Sequence, residues 1–244
     1  MSTDAAFTRE NLDRYLSALA KEFRKRNGPN MQAEVVLIGG ASVLANYSFR
    51  EATSDVDAII SASSAMKEAI NHVGDALNLP NGWINTDFTK TRSYSSKLIQ
   101  YSTYYKTFSH ILTVRTIAAE YLIAMKLMSG RKYKNDLSDV IGILIEHQKK
   151  GMVIGEEKIA RAVQDLYGSW ASIPLDSQRF ISMVMQSNNY EALYQKWRQE
   201  EQENKTLLLA AEKRYYGIAS EESINEILKA ARARKENQKD GPTR

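Results

Sequence analysis

The sequence predicts an α+β fold, with a small mixed β-sheet head flanked by helices and a mostly helical C-terminal half. Three observations carry this expectation. Strand-like runs rich in valine, isoleucine and tyrosine lie in the first half of the chain. From Ile117 onward, apolar residues recur at helical spacing instead. No internal repeat or low-complexity linker interrupts the 244 residues, and 43% hydrophobic with 25% charged residues is enough to bury a substantial core. The expected division is an α/β core over 1–150 and a helical region over 151–244, ending in a basic, mobile tail, "LKAARARKENQKDGPTR".

Each element has its own warrant. Leu12, Tyr15, Leu16, Leu19 and Phe23 repeat at three- and four-residue steps, predicting a helix over 8–27 that Gly28-Pro29 ends. "EVVLIGG" reads as a short buried strand closed by two glycines, with a short helix over 41–47. A second strand over 56–60 leads into a helix over 64–77, before Pro80. The tyrosine-rich middle predicts one or two strands around 97–105 and a firmer one over 110–114. "AAEYLIAMKLMSG" is helical and ends at Gly130, and Asn135 is placed to cap "DLSDVIGILIEHQKK". Helices are expected beyond Gly151 over 156–167, 176–186, 190–203, 207–215 and 220–237.

Composition excludes several classes of function. Without cysteine there are no disulfides or thiolate metal sites, and a reducing cytoplasm is the natural setting. His72, His110 and His147 are scattered, against a histidine-based zinc site. The N-terminus carries acids early and lacks an apolar core, so it does not read as a signal peptide. No apolar run reaches membrane-spanning length. A net charge of +4 permits a nucleotide or nucleic-acid partner without arguing for one.

The chemistry concentrates in "GGASVLANYSFREATSDVDAII". Alternate residues of a strand share a face, so Asp55 and Asp57 would present two carboxylates side by side. Like charges that close repel unless a cation lies between them, and hard oxygen ligands on a rigid strand suit Mg²⁺. Upstream, Gly39 and Gly40 let a phosphate approach the backbone at a helix N-terminus, where Ser42 adds a hydroxyl. Either feature alone is also ordinary turn or strand-edge chemistry. Their ordered combination favours a nucleotide and metal site.

This stretch resembles the core motif of the nucleotidyltransferase superfamily with the polymerase-β-like fold. Its Gly-Gly-Ala-Ser form, with Arg50 and Thr53 ahead of the aspartates, is similar to the AbiEii-like bacterial branch. The segment "EYLIAMKLMSGRKYKNDLSDVIGIL" looks like that branch's second signature, at Glu120, Lys126, Arg131, Asp136 and Asp139. The resemblance implies that Asp55 and Asp57 bind Mg²⁺, with Gly39, Gly40 and Ser42 holding a nucleoside triphosphate. It makes Lys126 and Asp136 functional residues of the cleft. From the residues alone, Lys126 on an almost wholly apolar helix either snorkels to the surface or reaches phosphates. Arg131 either grips phosphate or salt-bridges an acid such as Asp139.

One departure stands out. Active members of the superfamily usually supply a third metal-binding carboxylate from a later strand, and "HILTVRTI" has none. Asp87 is the nearest candidate, with Glu120 behind it, and Asp87 reads better as a turn stabiliser. The tyrosines and lysines of "TKTRSYSSKLIQYSTYYKTFSH" favour half-exposed strands over a single-stranded RNA site. The expected function is Mg²⁺-dependent transfer of a nucleoside monophosphate to an acceptor. By resemblance that acceptor includes tRNA, in a toxin or phage-defence role with a cognate antitoxin. The alternatives are a catalytically silent nucleotide-binding or interaction module and, last, an antibiotic-modifying enzyme.

Overall fold

The computed structural model describes residues 7–214 and 223–239. It is an α+β protein with a five-stranded mixed sheet, a two-stranded antiparallel ribbon and a helical C-terminal half. Helix α1 (Arg9–Asn27) starts at a capping box, in which Thr8 and Asn11 satisfy each other's backbone N–H groups. Thr8 also belongs to β1 (Phe7–Thr8), which pairs antiparallel with β3 (Ala52–Thr53). Two residues per strand are too few for periodicity to reveal, and the sequence reading omits this ribbon.

The main sheet runs β5 (Ile84–Asn85), β4 (Val56–Ser61), β2 (Ala33–Leu37), β7 (Leu112–Ile117), β6 (Ser102–Phe108). β2 is antiparallel to β4 and parallel to β7, so it is hydrogen-bonded on both edges. Its side chains alternate: Val35 and Leu37 join one apolar core, Val36 and Ile38 the other. Burial on both faces explains the unbroken "VVLI" run. The first core includes α1 and α3 (Ala65–Ala76). The second includes α4 (Ala119–Ser129), α5 (Asp136–Lys149), α6 (Glu156–Tyr167) and α7 (Leu175–Met185). That core runs without a break from Val36 to Val184, across residue 150.

Two boundaries differ from expectation for identifiable reasons. The 97–101 stretch is a 3-10 helix (Ser96–Tyr101) ahead of β6, because Ser95 accepts the Lys97 N–H and starts a turn. Ser109 and His110 both have positive φ, so they form the β6–β7 turn and the strand begins only at Leu112. The two helices expected over 190–215 are one, α8 (Tyr190–Arg214), and α9 (Ile224–Lys239) follows. Residues 215, 220–222 and the end of the predicted tail, 240–244, lie outside the described residues. Among those described, no helix is long and apolar enough to cross a membrane.

Gly142 of α5 shows how tightly the second core closes. A Cβ there would lie 2.7 Å from two atoms of the Phe49 ring. That ring is itself packed against Tyr47 and Tyr194 at centroid distances of 5.7 and 5.8 Å. Helix propensity alone would make Gly142→Ala a gain of ~1 kcal/mol. The clash should reverse the sign and give a net loss of about 1–2 kcal/mol in urea denaturation. A stabilised variant would show that Phe49 moves freely.

Candidate active site

Strand order brings the glycine turn and the aspartates together. Because β2 and β4 are antiparallel, the end of β2 lies beside the start of β4, and the Ile38 N–H donates to the Asp57 carbonyl at 2.8 Å. Helix α2 (Gly39–Asn46) starts at this point, and no side chain caps its first turn. Gly39 has φ +53°, and a Cβ there would come within 4.0 Å of Asp57 Oδ2. A Cβ on Gly40 would meet Thr53 Oγ1 at 2.6 Å, so the turn can lie this close to β3 only as glycine. Asp55 immediately precedes β4 and accepts from Thr53 Oγ1 at 3.5 Å, and Asp57 is the strand's second residue. Burial, then the like charge of Asp55, raises the Asp57 pKa against the pull of Lys134, Arg131 and Lys126.

These residues open onto a cleft of about 770 Å³ between the sheet and the helical half. Gly39, Gly40, Asp55 and Asp57 line the sheet side. Lys126, Arg131 and Asp136 line it from the opposite side, as does Lys134. The predicted site residues therefore converge, with one exception. Ser42 is fully buried and its Oγ accepts the Ile117 N–H at 3.1 Å, fastening α2 to the end of β7. It is not among the residues lining the cleft.

The cleft's helical wall rests on a buried ionic network. Lys126 Nζ lies 2.8 Å from Asp136 Oδ1 and 2.9 Å from Asp139 Oδ2. Arg131 Nε donates to Asp136 Oδ2 at 2.8 Å. Arg50 Nη1 reaches both Asp139 oxygens at 2.9 and 3.1 Å, and its Nε donates to the Ala52 carbonyl. Burial alone would depress the Lys126 pKa, but the two aspartates outweigh it and raise it. Burial would likewise raise Asp136, yet Lys126 and Arg131 hold it well below the ordinary carboxylate range. Lys126 thus does not snorkel. Its ammonium is balanced by two carboxylates, and Asp136 acts by fixing Lys126 and Arg131.

Several residues here escaped the sequence reading. Lys134 faces Asp55 and Asp57, and loss of surrounding water, followed by the Arg131 guanidinium, lowers its pKa. Glu201 of α8 is 1% exposed and accepts from the Leu137 and Ser138 N–H groups and from Ser138 Oγ, at the start of α5. Burial pushes its carboxyl up to about 8 in spite of these donors. Between the ordinary glutamate value of 4.5 and about 8, the folded chain holds a proton that the unfolded chain has released. Its contribution to stability is therefore greatest at low pH and is lost as pH rises through that window. The stability of Glu201→Gln should fall less steeply than wild type between about pH 5 and 8. Parallel denaturation curves for the two proteins would refute the assignment.

The donor set was tested against a divalent cation. Two hard carboxylates, of which Asp57 is raised in pKa by burial and then by Asp55, suit an ion such as Mg²⁺ that completes its shell with phosphate oxygens and water. Neither candidate for a third ligand completes the set. Asp87 lines the cleft but pairs with Lys90 at 2.8 Å, and Glu120 acts on Tyr47 and His147. Among the described residues, no group of three or more His, Asp or Glu side chains could hold a metal ion. Arg115, the one charge on β7, donates to the Ser102 hydroxyl and carbonyl. The tyrosine-rich middle is engaged in packing: Tyr101 stacks on Tyr121 at 3.8 Å, and Tyr105 and Lys106 both bind Asp13.

A turn that lets phosphate approach, set against two carboxylates at the start of β4 and across from a cationic wall, is an arrangement suited to a phosphorylated ligand. The chain belongs to a family described as "Nucleotidyltransferase of unknown function (DUF6036)", whose model matches residues 14–149, more than half of its length. The match takes in both halves of the buried network, from Arg50 to Asp139, and ends with α5. It supports the superfamily and does not distinguish the AbiEii-like branch. No curated protein and no solved structure matched the chain.

Proposed function

We propose that the protein moves a nucleoside monophosphate from a nucleoside triphosphate to an acceptor and releases pyrophosphate, using Mg²⁺ held by Asp55 and Asp57. The observation that carries this is the approach of Asp57 Oδ2 to the Gly39 turn, inside the cleft that Arg131 also lines. Gly39 and Gly40 bring triphosphate oxygens to the first turn of α2, and Arg131, anchored through Asp136, offers its remaining N–H donors from the other side. Asp55 and Asp57 are the side chains that would hold the ion. The chemistry supplied by such an ion is charge neutralisation at the phosphates and a lower pKa for the attacking hydroxyl. The AbiEii-like resemblance of the two motifs extends the proposal to an RNA acceptor, tRNA first. It also supports a toxin or phage-defence role in the cytoplasm, with a cognate antitoxin protein.

The two-carboxylate donor set favours a second reading, a silent nucleotidyltransferase fold that binds nucleotide without transferring it. Incubation with each labelled triphosphate, Mg²⁺ and total cellular RNA separates the two. Label that enters RNA with wild type and not with Asp55→Asn/Asp57→Asn supports transfer. Metal-dependent triphosphate binding without labelling of RNA, protein or small molecules supports the silent module. Absence of binding removes both.

A further inference from the structure

Most charges lining the cleft are already matched. Arg50 pairs with Asp139, Lys126 with Asp136 and Asp139, Arg131 with Asp136, and Asp87 with Lys90. Glu212 is also engaged. What remains is Asp55 and Asp57 on one side and the ammoniums of Lys134 and Lys205 on the other. Neither lysine makes an ion pair or a hydrogen bond among the described residues, and both are exposed.

The two lysines come from different halves of the protein, yet α8 holds them on one wall. Asn204, adjacent to Lys205, is 1% exposed and donates through Nδ2 to the Lys132 carbonyl at 2.7 Å. One turn earlier, Glu201 accepts the Leu137 N–H at 2.8 Å. Arg232 of α9 backs Asn204 by donating to its Oδ1 at 2.8 Å. The α4–α5 loop that carries Lys134 is therefore clamped to α8 on both sides of that residue. Glu201 and Asn204 are buried polar side chains on the packed face of α8, and such groups are costly to keep there unless they are hydrogen-bonded as these are.

We propose that Lys134 and Lys205 form one anion subsite for the polyphosphate tail of the triphosphate, so that the helical half completes the active cleft. The identity of the ligand rests on the nucleotidyl-transfer reading, while the subsite itself can be tested without turnover. An anion bridging two unmatched ammoniums would hold the outer phosphates on the wall opposite the two carboxylates, while the inner ones stay beside the glycine turn. A rigid clamp keeps that separation fixed. Lys134 lies within the family match and Lys205 beyond its end at residue 149, so the subsite joins the family region to the part of the chain that the family does not describe.

The test is calorimetric titration of the full chain with inorganic tripolyphosphate, with and without Mg²⁺. Wild type should bind, and Lys134→Met and Lys205→Met should each bind about tenfold more weakly. Lys134→Arg should retain most of the affinity. Lys25→Met, an equal charge loss on exposed α1, should bind like wild type. Circular dichroism and melting curves confirm that the exposed substitutions leave the fold intact. No binding by wild type, or wild-type affinity in Lys205→Met, overturns the subsite even if labelled transfer is observed. Weakened binding in both variants with no labelled acceptor keeps the subsite and removes transfer.

Discussion

Lys126→Met should destabilise the fold by about 3–5 kcal/mol. Methionine keeps the apolar length of the side chain among the residues of α4 and deletes only the ammonium. The ammonium lies 2.8 and 2.9 Å from two carboxylates whose side chains are 0% exposed. Removing it leaves Asp136 with Arg131 alone and Asp139 with Arg50 alone, and brings back the repulsion between the two acids. The penalty for an uncompensated buried charge exceeds anything a surface ion pair contributes. Asp136 has a depressed folded pKa, so its contribution is fully present above the ordinary carboxylate value and lost as pH falls through the depressed one. The gap between wild type and Lys126→Met should accordingly narrow toward about pH 4 in urea denaturation, as Asp136, held in the variant by Arg131 alone, takes up its proton. Adding Asp139→Asn to Lys126→Met should recover only the part of the loss that comes from acid–acid repulsion, since it also takes away the carboxylate that pairs with Arg50. Wild-type stability in the single variant would mean that the network contributes nothing net.

The sheet half of the site was legible because strand geometry is nearly rigid. Once "EVVLIGG" and "VDAII" are antiparallel neighbours, the glycines and the aspartates must meet at one end. The short helix between them was less readable. It begins at Gly39, two residues before the expected start, and Ser42 faces Ile117 instead of the cleft. The second motif contains Lys126, Arg131 and Asp136, which meet in the fold, but spacing cannot say which cation meets a ligand and which meets an acid. That depends on the corner between α4 and α5, where Gly130 in the left-handed region folds Asp136 back over Lys126. Lys134 stood inside the quoted motif and carried no signal, because one lysine in a polar loop looks like any solvated one. Glu201, Asn204 and Lys205 sit in the polar run "EEQENK", where only tertiary contact separates buried from exposed. Sequence patterns report periodic burial, and single polar residues that cross from one element to another leave no period.

Asp57→Asn should behave in the opposite way to Lys126→Met, losing activity while keeping or gaining stability. The raised Asp57 pKa means that the folded chain binds this proton more tightly than the unfolded chain does. Its stabilising contribution is therefore present at low pH and lost as pH rises through its folded value. The carboxylate stands half-buried beside Asp55, and burial and the like charge both oppose its ionised form. Asparagine keeps the shape, retains an oxygen and removes the repulsion, so the melting temperature should hold or rise when metal is absent. In a transfer assay the same change would remove one of the two proposed anionic ligands where the described residues offer no group of three, and label incorporation should fall by at least about 10²-fold. A superfamily site with three carboxylates would still have two after such a change, whereas this one is left with Asp55 alone. Mg²⁺ should raise the melting temperature of wild type and have little effect on Asp57→Asn, because an ion that binds only the folded state stabilises it by mass action. Undiminished transfer by Asp57→Asn would place the metal elsewhere. Equal stabilisation of both proteins by Mg²⁺ would do the same without any knowledge of the acceptor.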